Sequence, residues 1–233
     1  MSFENLNLHP SIIQAITEAG YTEPTPIQQQ AIPELLAGHD IMASAQTGTG
    51  KTAAFMLPAL HLLAEPPKER GKGPRVLILT PTRELALQVS EAATKYGKYL
   101  ARTKVVSILG GMPYPLQNKL LSQPVDILVA TPGRMFDLMS QGHLRIHRVG
   151  ILVIDEAADV WVTFVHEGAG HKNSLGFYTY QDGNPPQTKD DIDVVTVIFP
   201  NVSMVGSGGG LVPGDKVYLG EFEPGTVIGW VIM

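Results

Sequence analysis

The chain has 233 residues, of which 44% are apolar, and it carries a formal net charge of −5 at pH 7. This composition is typical of a protein that folds around a buried core, as one large domain or two small ones. The absence of cysteine excludes disulfides and thiolate metal sites, and no apolar stretch is long enough to span a bilayer, so we expect a cytoplasmic protein without membrane contact.

Charge and composition change near residue 158. Residues 1–158 hold 14 Lys and Arg against 13 Asp and Glu, whereas residues 159–233 hold 3 against 9, together with half of the 24 glycines. Because an acidic surface repels phosphate, any nucleic-acid contact is expected in the first segment. The change predicts two domains, 1–158 and 159–233, and the second is expected to be truncated because it stops just after an apolar strand.

The first segment alternates short aliphatic runs with stretches of helical period, a pattern typical of a parallel sheet covered by helices. The predicted helices are 10–19, 26–36, 51–63, 83–98, 115–122 and 133–140. The predicted strands are 41–45, 75–80, 105–109, 126–130 and 150–154. We therefore expect an α/β fold with a parallel sheet and flanking helices.

The second segment alternates apolar and polar residues between Gly, Pro, Asn and Asp turns, which predicts antiparallel strands. The predicted strands are 161–165, 175–180, 194–199, 216–222 and 226–232. No stretch of helical period remains, so we expect an all-β sandwich or jelly roll. Such a segment cannot supply a parallel strand, which needs a helical crossover, and the sequence leaves open whether it covers an exposed side of the first sheet.

A glycine-rich loop follows the first predicted strand and opens a helix. It reads Ala45-Gln46-Thr47-Gly48-Thr49-Gly50-Lys51-Thr52, a Walker A phosphate loop whose first glycine is alanine. Its backbone N–H groups would cradle phosphates, Lys51 would reach the β- and γ-phosphates, and Thr52 would ligate Mg²⁺. An ordinary glycine-rich turn explains Gly48 and Gly50 but not Lys51 and Thr52 at these offsets.

A pair of carboxylates ends the last predicted strand of the first segment. Asp155 would hold Mg²⁺ through its water shell, and Glu156 would polarise the attacking water, as in a Walker B site. Taken alone, such a pair is more often an exposed loop or a helix cap, so its weight comes from the phosphate loop. Together the motifs predict ATP and Mg²⁺ binding, with Lys51, Asp155 and Glu156 as catalytic residues and Thr52 and Asp155 at the metal.

These motifs follow Gly20-Tyr21-Thr22-Glu23-Pro24-Thr25-Pro26-Ile27-Gln28, and residues 1–158 as a whole resemble the first RecA-like domain of bacterial DEAD-box RNA helicases. The nine-residue stretch is similar to the Q motif of that family, and Phe3 lies upstream of it. The resemblance implies that Gln28 reads the adenine edge, that Phe3 stacks on the base and that Tyr21 belongs to the same nucleotide site. Without the resemblance, the prolines mark a turn before a helix and Phe3 is a core residue.

Three further segments are similar to loops with which the family contacts RNA. They are Pro81-Thr82-Arg83, Gly110-Gly111 and Thr131-Pro132-Gly133-Arg134, and each follows a predicted strand. Small residues, N–H groups, a hydroxyl and an arginine can meet phosphate and ribose without reading bases. Taken singly, each segment is a strand-to-helix turn; together, the resemblance implies weak RNA binding through the RNA backbone.

The sequence departs from the family at its signature tetrapeptide. Where the family has Asp-Glu-Ala-Asp, this chain has Asp155-Glu156-Ala157-Ala158, and no Ser-Ala-Thr motif follows. The family closes a second RecA-like domain over ATP and RNA, with arginine fingers that are worth roughly 10³ to 10⁵ in rate. Residues 159–233 contain no arginine, so we expect weak ATP binding, negligible hydrolysis and no unwinding.

The second segment resembles a β-rich domain of unknown function found in bacterial secreted and surface proteins. This resemblance leaves an alternative to an ATP-binding fragment: the chain is a non-enzymatic chimera whose second domain is a surface module that binds calcium or a glycan. Asp182 and Asp190 could offer oxygens to Ca²⁺, although turn formation explains them too. His166, Glu167 and His171 lack the His-Glu-x-x-His spacing of zinc enzymes. The sequence leaves the oligomeric state open.

Overall fold

A computed structural model of the protein describes residues 2–39, 41–44, 48–65, 71, 73–101 and 103–155, and the backbone of three later strands. A 3₁₀ helix, Phe3–Leu6, precedes six α-helices. These are α1 (Pro10–Glu18), α2 (Pro26–Leu36), α3 (Lys51–Ala64), α4 (Arg83–Tyr96), α5 (Tyr114–Leu121) and α6 (Pro132–Ser140). The strands are β1 (Ile41–Ser44), β2 (Val76–Leu79), β3 (Val105–Ile108), β4 (Ile127–Ala130), β5 (Ile151–Ile154), β6 (Trp161–Val165), β7 (Ser174–Tyr178) and β8 (Val195–Phe199). None of the described helices is long and apolar enough to cross a bilayer.

The central strands are buried on both faces. Along β2, Val76 and Ile78 belong to a core shared with α1, α2, α3 and α4, whereas Leu77 and Leu79 belong to a second core shared with α6. The same alternation holds in β4 and β5. A strand with two apolar faces reads as a continuous aliphatic run, which is why the sequence pattern predicts a parallel sheet between helices.

Six strands form one sheet in the order β1-β8-β5-β2-β4-β3. β2 pairs in parallel with β4 and β5, and β3 pairs in parallel with β4. β8 is antiparallel to both β1 and β5, so β1 runs in the same direction as β5. Five strands of the sheet therefore share one direction, and their carboxyl ends meet at one edge.

The structure confirms the predicted α/β class and the parallel sheet with flanking helices. All six helices and five strands predicted before residue 158 are present, with ends within two residues of the prediction. Helix α4 ends at Tyr96, two residues before the predicted end, and Gly97 is its C-cap residue, with its N–H donating to the Ala93 carbonyl at 3.0 Å. The sequence pattern does not predict the 3₁₀ helix, whose start is capped locally by the Ser2 hydroxyl accepting from the Glu4 N–H at 3.1 Å.

The tail contributes three described strands. β6 and β7 form a separate antiparallel pair, as predicted for strands of this segment. β8 lies in the first sheet, with Val195 opposite Ser44 of β1 and Val197 opposite Ile154 of β5. An antiparallel strand needs no helical crossover, so the tail joins this sheet without the connection that a parallel strand requires. The predicted strands 216–222 and 226–232 lie outside the described residues, and the β-sandwich and the division at 158 stay predictions.

Candidate functional site

The five strands of common direction deliver the predicted site residues to one edge of the sheet. The loop 48–52 follows β1 and Asp155 follows β5; we call this part of the edge the β1 end. Segments 81–83, 131–134 and 110–111 follow the adjacent strands β2, β4 and β3; we call this part the β3 end. Residues that are scattered along the sequence are thus gathered into two neighbouring groups.

Two glycines shape the loop before α3. Gly48 and Gly50 have φ angles of +83° and +89°, a left-handed conformation that residues with side chains rarely adopt. Lys51 and Thr52 are the first two residues of α3, where backbone N–H groups cannot find partners within the helix. A glycine turn that leads into a helix start suits an anionic ligand. The other predicted loop residues, apart from Thr49, are Ala45, Gln46 and Thr47, and they lie outside the described residues.

Asp155 directly follows β5 and belongs to the group of residues that we call the β1 end. It is 3% exposed, and its N–H donates to the Leu79 carbonyl at 2.9 Å. Only β8 separates β1 from β5, so their ends are two strand spacings apart, or about 10 Å. The loop and the buried carboxylate therefore face the same small region above the sheet.

The oxygen atoms of this region suit Mg²⁺ bound together with phosphates. Mg²⁺ is usually held by one or two protein oxygens, with phosphate oxygens and waters completing its shell, and the Thr52 hydroxyl and Asp155 carboxylate are donors of that kind. Within the part of the chain that the structure describes, no three His, Asp or Glu residues cluster to form a metal cage. Glu156 and the zinc candidates His166, Glu167 and His171 lie outside the described residues.

Gln28 connects the start of α2 to the end of the phosphate loop. Its side chain is almost fully buried, its Oε1 accepts from the Thr25 N–H at 3.0 Å, and its Nε2 donates to the Gly50 carbonyl at 3.1 Å. A Cβ on Gly50 would lie 2.3 Å from that nitrogen, so glycine is required by its surroundings as well as by its φ angle. These contacts make Gln28 a positioning residue for the loop, and its recognition of adenine stays a prediction.

The two aromatic residues predicted at the nucleotide lie in different surroundings. Phe3 is buried in the core, which agrees with the alternative that it is a core residue, and its stacking on a base stays a prediction. Tyr21 meets the last turn of α4, where its hydroxyl lies 3.0 Å from that of Tyr96 and the two rings pack edge to face. Its described partners are thus on α4, and a role at the nucleotide stays a prediction.

At the β3 end, Arg83 reaches the loop that follows β3. Pro81 and Thr82 precede α4, and the Thr82 hydroxyl caps this helix by accepting from the Leu85 N–H at 3.2 Å. A Cβ on Gly111 would lie 2.6 Å from Nη1 of Arg83, and Gly111 has a φ angle of +78°. Gly111 is therefore favoured by its φ angle and lies close to the guanidinium, whereas a Cβ on its neighbour Gly110 would meet open space.

Arg134 holds the same loop from the other side. Its Nη1 donates to the Met112 carbonyl at 2.8 Å, and its guanidinium carbon lies 4.2 Å from the centre of the Tyr114 ring. The Tyr114 hydroxyl donates to the Asp137 carboxylate, and this hydrogen bond raises the pKa of the hydroxyl. The loop after β3 is thus bonded by Arg134 and lies close to Arg83, two arginines from neighbouring loops.

The start of α6 is open to a ligand. Thr131 is the residue before the helix, and its side chain makes no capping hydrogen bond. Pro132 is buried at the first helical position, and Gly133 is exposed with open space where a Cβ would lie. Backbone N–H groups and a hydroxyl are therefore presented beside Arg134, as the sequence predicts for an RNA-backbone contact.

Gln117 is a site residue that the sequence reasoning missed. It is fully buried, its Oε1 accepts from the Leu109 N–H at 3.0 Å, and its Nε2 donates to the Met112 carbonyl at 3.0 Å. These bonds close the loop after β3 into one shape. A signal for it is helical spacing. Leu120 and Leu121 pack on the second core, and Gln117 lies three and four residues before them, so it is on the same, inward face of α5.

Gly50→Ala is expected to destabilise the protein by about 1–3 kcal/mol more than Gly48→Ala. Both variants place alanine in the left-handed region, but only the Gly50 variant displaces the buried amide of Gln28 and leaves its partners unsatisfied. Urea unfolding of the two variants, without added ligand, measures the difference. Equal destabilisation would show that the Gln28 contact does not fix the loop.

Comparison with known families and proteins agrees with this arrangement. Residues 25–169, more than half of the chain, match the DEAD/DEAH box helicase family. The chain is 47% identical over 156 residues to DEAD-box ATP-dependent RNA helicase 30 of Oryza sativa subsp. japonica. The aligned residues make up 66% of this chain and 23% of that protein. It is 46% identical over 159 residues to ATP-dependent RNA helicase DeaD of Buchnera aphidicola subsp. Acyrthosiphon pisum. The aligned residues make up 68% of this chain and 26% of the relative.

DeaD of Escherichia coli strain K12 is 44% identical over 159 residues, which cover 68% of this chain and 25% of that protein. The chain thus spans about a quarter of the length of these curated relatives. The family match includes the phosphate loop, Asp155 and all three segments of the β3 end. On its fold, its motifs and this match, the chain belongs to the DEAD/DEAH box helicase family.

Proposed function

We propose that this chain binds ATP with Mg²⁺ at the β1 end and the backbone of an RNA strand at the β3 end. The observation that carries the proposal is the strand order. It puts the ends of β1 and β5, which lead to the phosphate loop and to the buried Asp155, about 10 Å apart and gathers three other candidate loops on adjacent strands. The names of the relatives describe them as ATP-dependent RNA helicases, which agrees with this assignment.

At the β1 end, each residue has a role that follows from its chemistry. The glycine turn and the first N–H groups of α3 would hold the phosphates, and the Lys51 ammonium would neutralise the outer ones. Thr52 and Asp155 would provide hard oxygen atoms to Mg²⁺, which neutralises charge on the phosphates when it is bound. Glu156 follows Asp155 directly and would orient water. Gln28 would keep the turn in its bound shape through Gly50.

At the β3 end, the donors suit phosphate and ribose. Arg83 and Arg134 supply fixed positive charge, and the Thr131 hydroxyl and the N–H groups at the start of α6 supply neutral donors. These groups would contact phosphate and ribose and not the edges of the bases, so binding would depend little on the RNA sequence. Because the contacts are few and lie at the surface, the affinity would fall as salt is added.

We propose further that ATP is bound without efficient turnover. Transfer of the γ-phosphoryl group needs positive charge at the transferred phosphate, which arginine commonly supplies. Arg83 and Arg134 both extend towards the loop after β3, in the direction away from β5. The sequence contains no arginine after Arg148, and Ala158 stands where the family signature has a carboxylate.

Lys51→Ala is expected to weaken binding of ATP with Mg²⁺ by about 10- to 150-fold, as for the loss of one charge-assisted hydrogen bond. Titration calorimetry of the full chain measures the affinity. Lys119→Ala is the matched control, since it removes an exposed lysine from α5 and should leave the affinity unchanged. Equal ATP affinity in the Lys51 variant and the wild type would contradict the assignment of the loop.

The ATPase rate of the wild-type chain is expected to equal that of Lys51→Ala, even with single-stranded RNA in excess. The reason is the lack of an arginine directed at the β1 end among the described residues. Phosphate release measures the rate, and a labelled duplex reports unwinding. RNA-stimulated hydrolysis that Lys51→Ala lacks, or ATP-dependent strand separation, would sink the proposal of binding without turnover.

Arg83→Ala is expected to lower RNA affinity and to reduce the slope of log affinity against log salt by about 0.7, the value for one lost phosphate contact on a single strand. Fluorescence anisotropy with a labelled oligoribonucleotide at several salt concentrations gives the slope. Arg145→Ala removes the same charge from the segment that precedes β5, at the opposite edge of the sheet, and should leave the slope unchanged. If both variants change the slope equally, RNA binding is not located at the β3 end.

A further inference from the structure

Tyr114 is a surface aromatic residue held in a fixed orientation. It is 36% exposed although it opens α5 directly after the loop that Arg83 and Arg134 hold. The Arg134 guanidinium lies over one face of its ring, so only the opposite face is left for a base, and its hydroxyl is bonded to Asp137. Two contacts therefore fix the ring while part of it stays open to solvent.

The position of Tyr114 places this ring beside the groups proposed for RNA. Arg134 contacts both Tyr114 and the Met112 carbonyl, so the ring and the arginine form one unit with the loop. A base is joined to the strand's phosphates through its ribose, so a strand bound at Arg134 would carry its bases past the neighbouring ring. An aromatic ring in that position offers a stacking surface that accepts any base, because every base has a π-face.

We propose that Tyr114 stacks on a base of the RNA strand bound at the β3 end. The inference rests on the proposed RNA binding and adds to it a contact that depends on bases, whereas Arg83, Thr131 and Arg134 would meet only the RNA backbone. Because the ring is already ordered by Arg134 and Asp137, stacking costs little additional side-chain entropy. The contact would add affinity for single-stranded RNA without selecting a sequence.

A purely structural role for Tyr114 makes a different prediction. If the ring only ties α5 to α6 through Asp137, its removal would loosen the loop and weaken every RNA contact equally. Stacking, in contrast, acts only on a ligand that has bases. An abasic ribose-phosphate oligomer of the same length keeps the backbone charge and removes the bases, so it separates the two roles.

The test compares full-length wild type, Tyr114→Leu and Tyr114→Phe by fluorescence anisotropy with an adenosine oligoribonucleotide and its abasic counterpart. The wild type should prefer the adenosine oligomer. Tyr114→Leu should lose about 5- to 150-fold in affinity for that oligomer and bind the abasic oligomer as the wild type does. Tyr114→Phe keeps the ring and should retain the preference although it loses the bond to Asp137.

Tyr99 provides a matched control. It is also an exposed tyrosine, at 40%, with a lysine near its ring (Lys98 Nζ at 4.7 Å) and a carboxylate partner, Glu18, for its hydroxyl. Arg83 begins α4, whereas Tyr99 follows the other end of that helix, away from the β3 end. Tyr99→Leu should therefore leave the affinities for the adenosine oligomer and for the abasic oligomer unchanged.

The outcomes separate this inference from the proposed function. Equal loss on both oligomers in Tyr114→Leu, or equal wild-type affinity for both, would overturn stacking and leave backbone binding in place. Binding of neither oligomer by the wild type would overturn RNA binding itself, and stacking with it.

Discussion

Parallel pairing of strands buried on both faces is the constraint on which this structure depends. β2, β4 and β5 are apolar and fully buried at nearly every position, so they are stable only in a middle layer between helices. Parallel strands are joined by crossovers, so the loops that leave their carboxyl ends meet at one edge whatever their separation in sequence. Lys51 and Asp155, about a hundred residues apart, face one region because β1 runs in the same direction as β5, although β8 lies between these strands and is antiparallel to both. The chemistry proposed for the edge is therefore a consequence of topology.

Topology brings the loops together, but side-chain bonds to the backbone give them their shapes. Gln28 fixes the phosphate loop through the Gly50 carbonyl, and Gln117 and Arg134 both bond the Met112 carbonyl in the loop after β3. A buried amide that lost these partners would be left unsatisfied, so the bonds hold the loops strongly even though each has a modest net energy. Loops that are ordered before a ligand arrives lose less conformational entropy on binding. Two glutamines and one arginine thus order the loops of this edge before any ligand binds.

The sequence predicts the elements well because their signals are local. The aliphatic runs of β2, β4 and β5 and the glycines before Lys51 are visible without knowing any neighbour. The strand order is not local: the position of β8 between β1 and β5 depends on which open edges remain after the other strands have paired, and the amino-acid pattern of residues 195–199 does not encode that. Gln117 is hidden for a different reason: its partners, the Leu109 N–H and the Met112 carbonyl, are backbone groups close in sequence, and the amino-acid pattern does not show which way a polar side chain on α5 turns. The burial of Phe3 likewise follows from packing that the motif does not reveal.

The order of strands also separates the proposed RNA contact from the proposed nucleotide site. A charge stabilises a transition state only where the charge develops, so an arginine a few strands away contributes to affinity at its own end and little to phosphoryl transfer at the other. Arg83 follows β2, which is adjacent to β5, yet its guanidinium lies against Gly111 on the far side of β4. To serve the β1 end it would have to leave that contact and cross the end of β2. In this arrangement Arg83 is directed to the β3 end, so the proposed RNA contact and the proposed phosphoryl transfer would draw on different groups along one edge of the sheet.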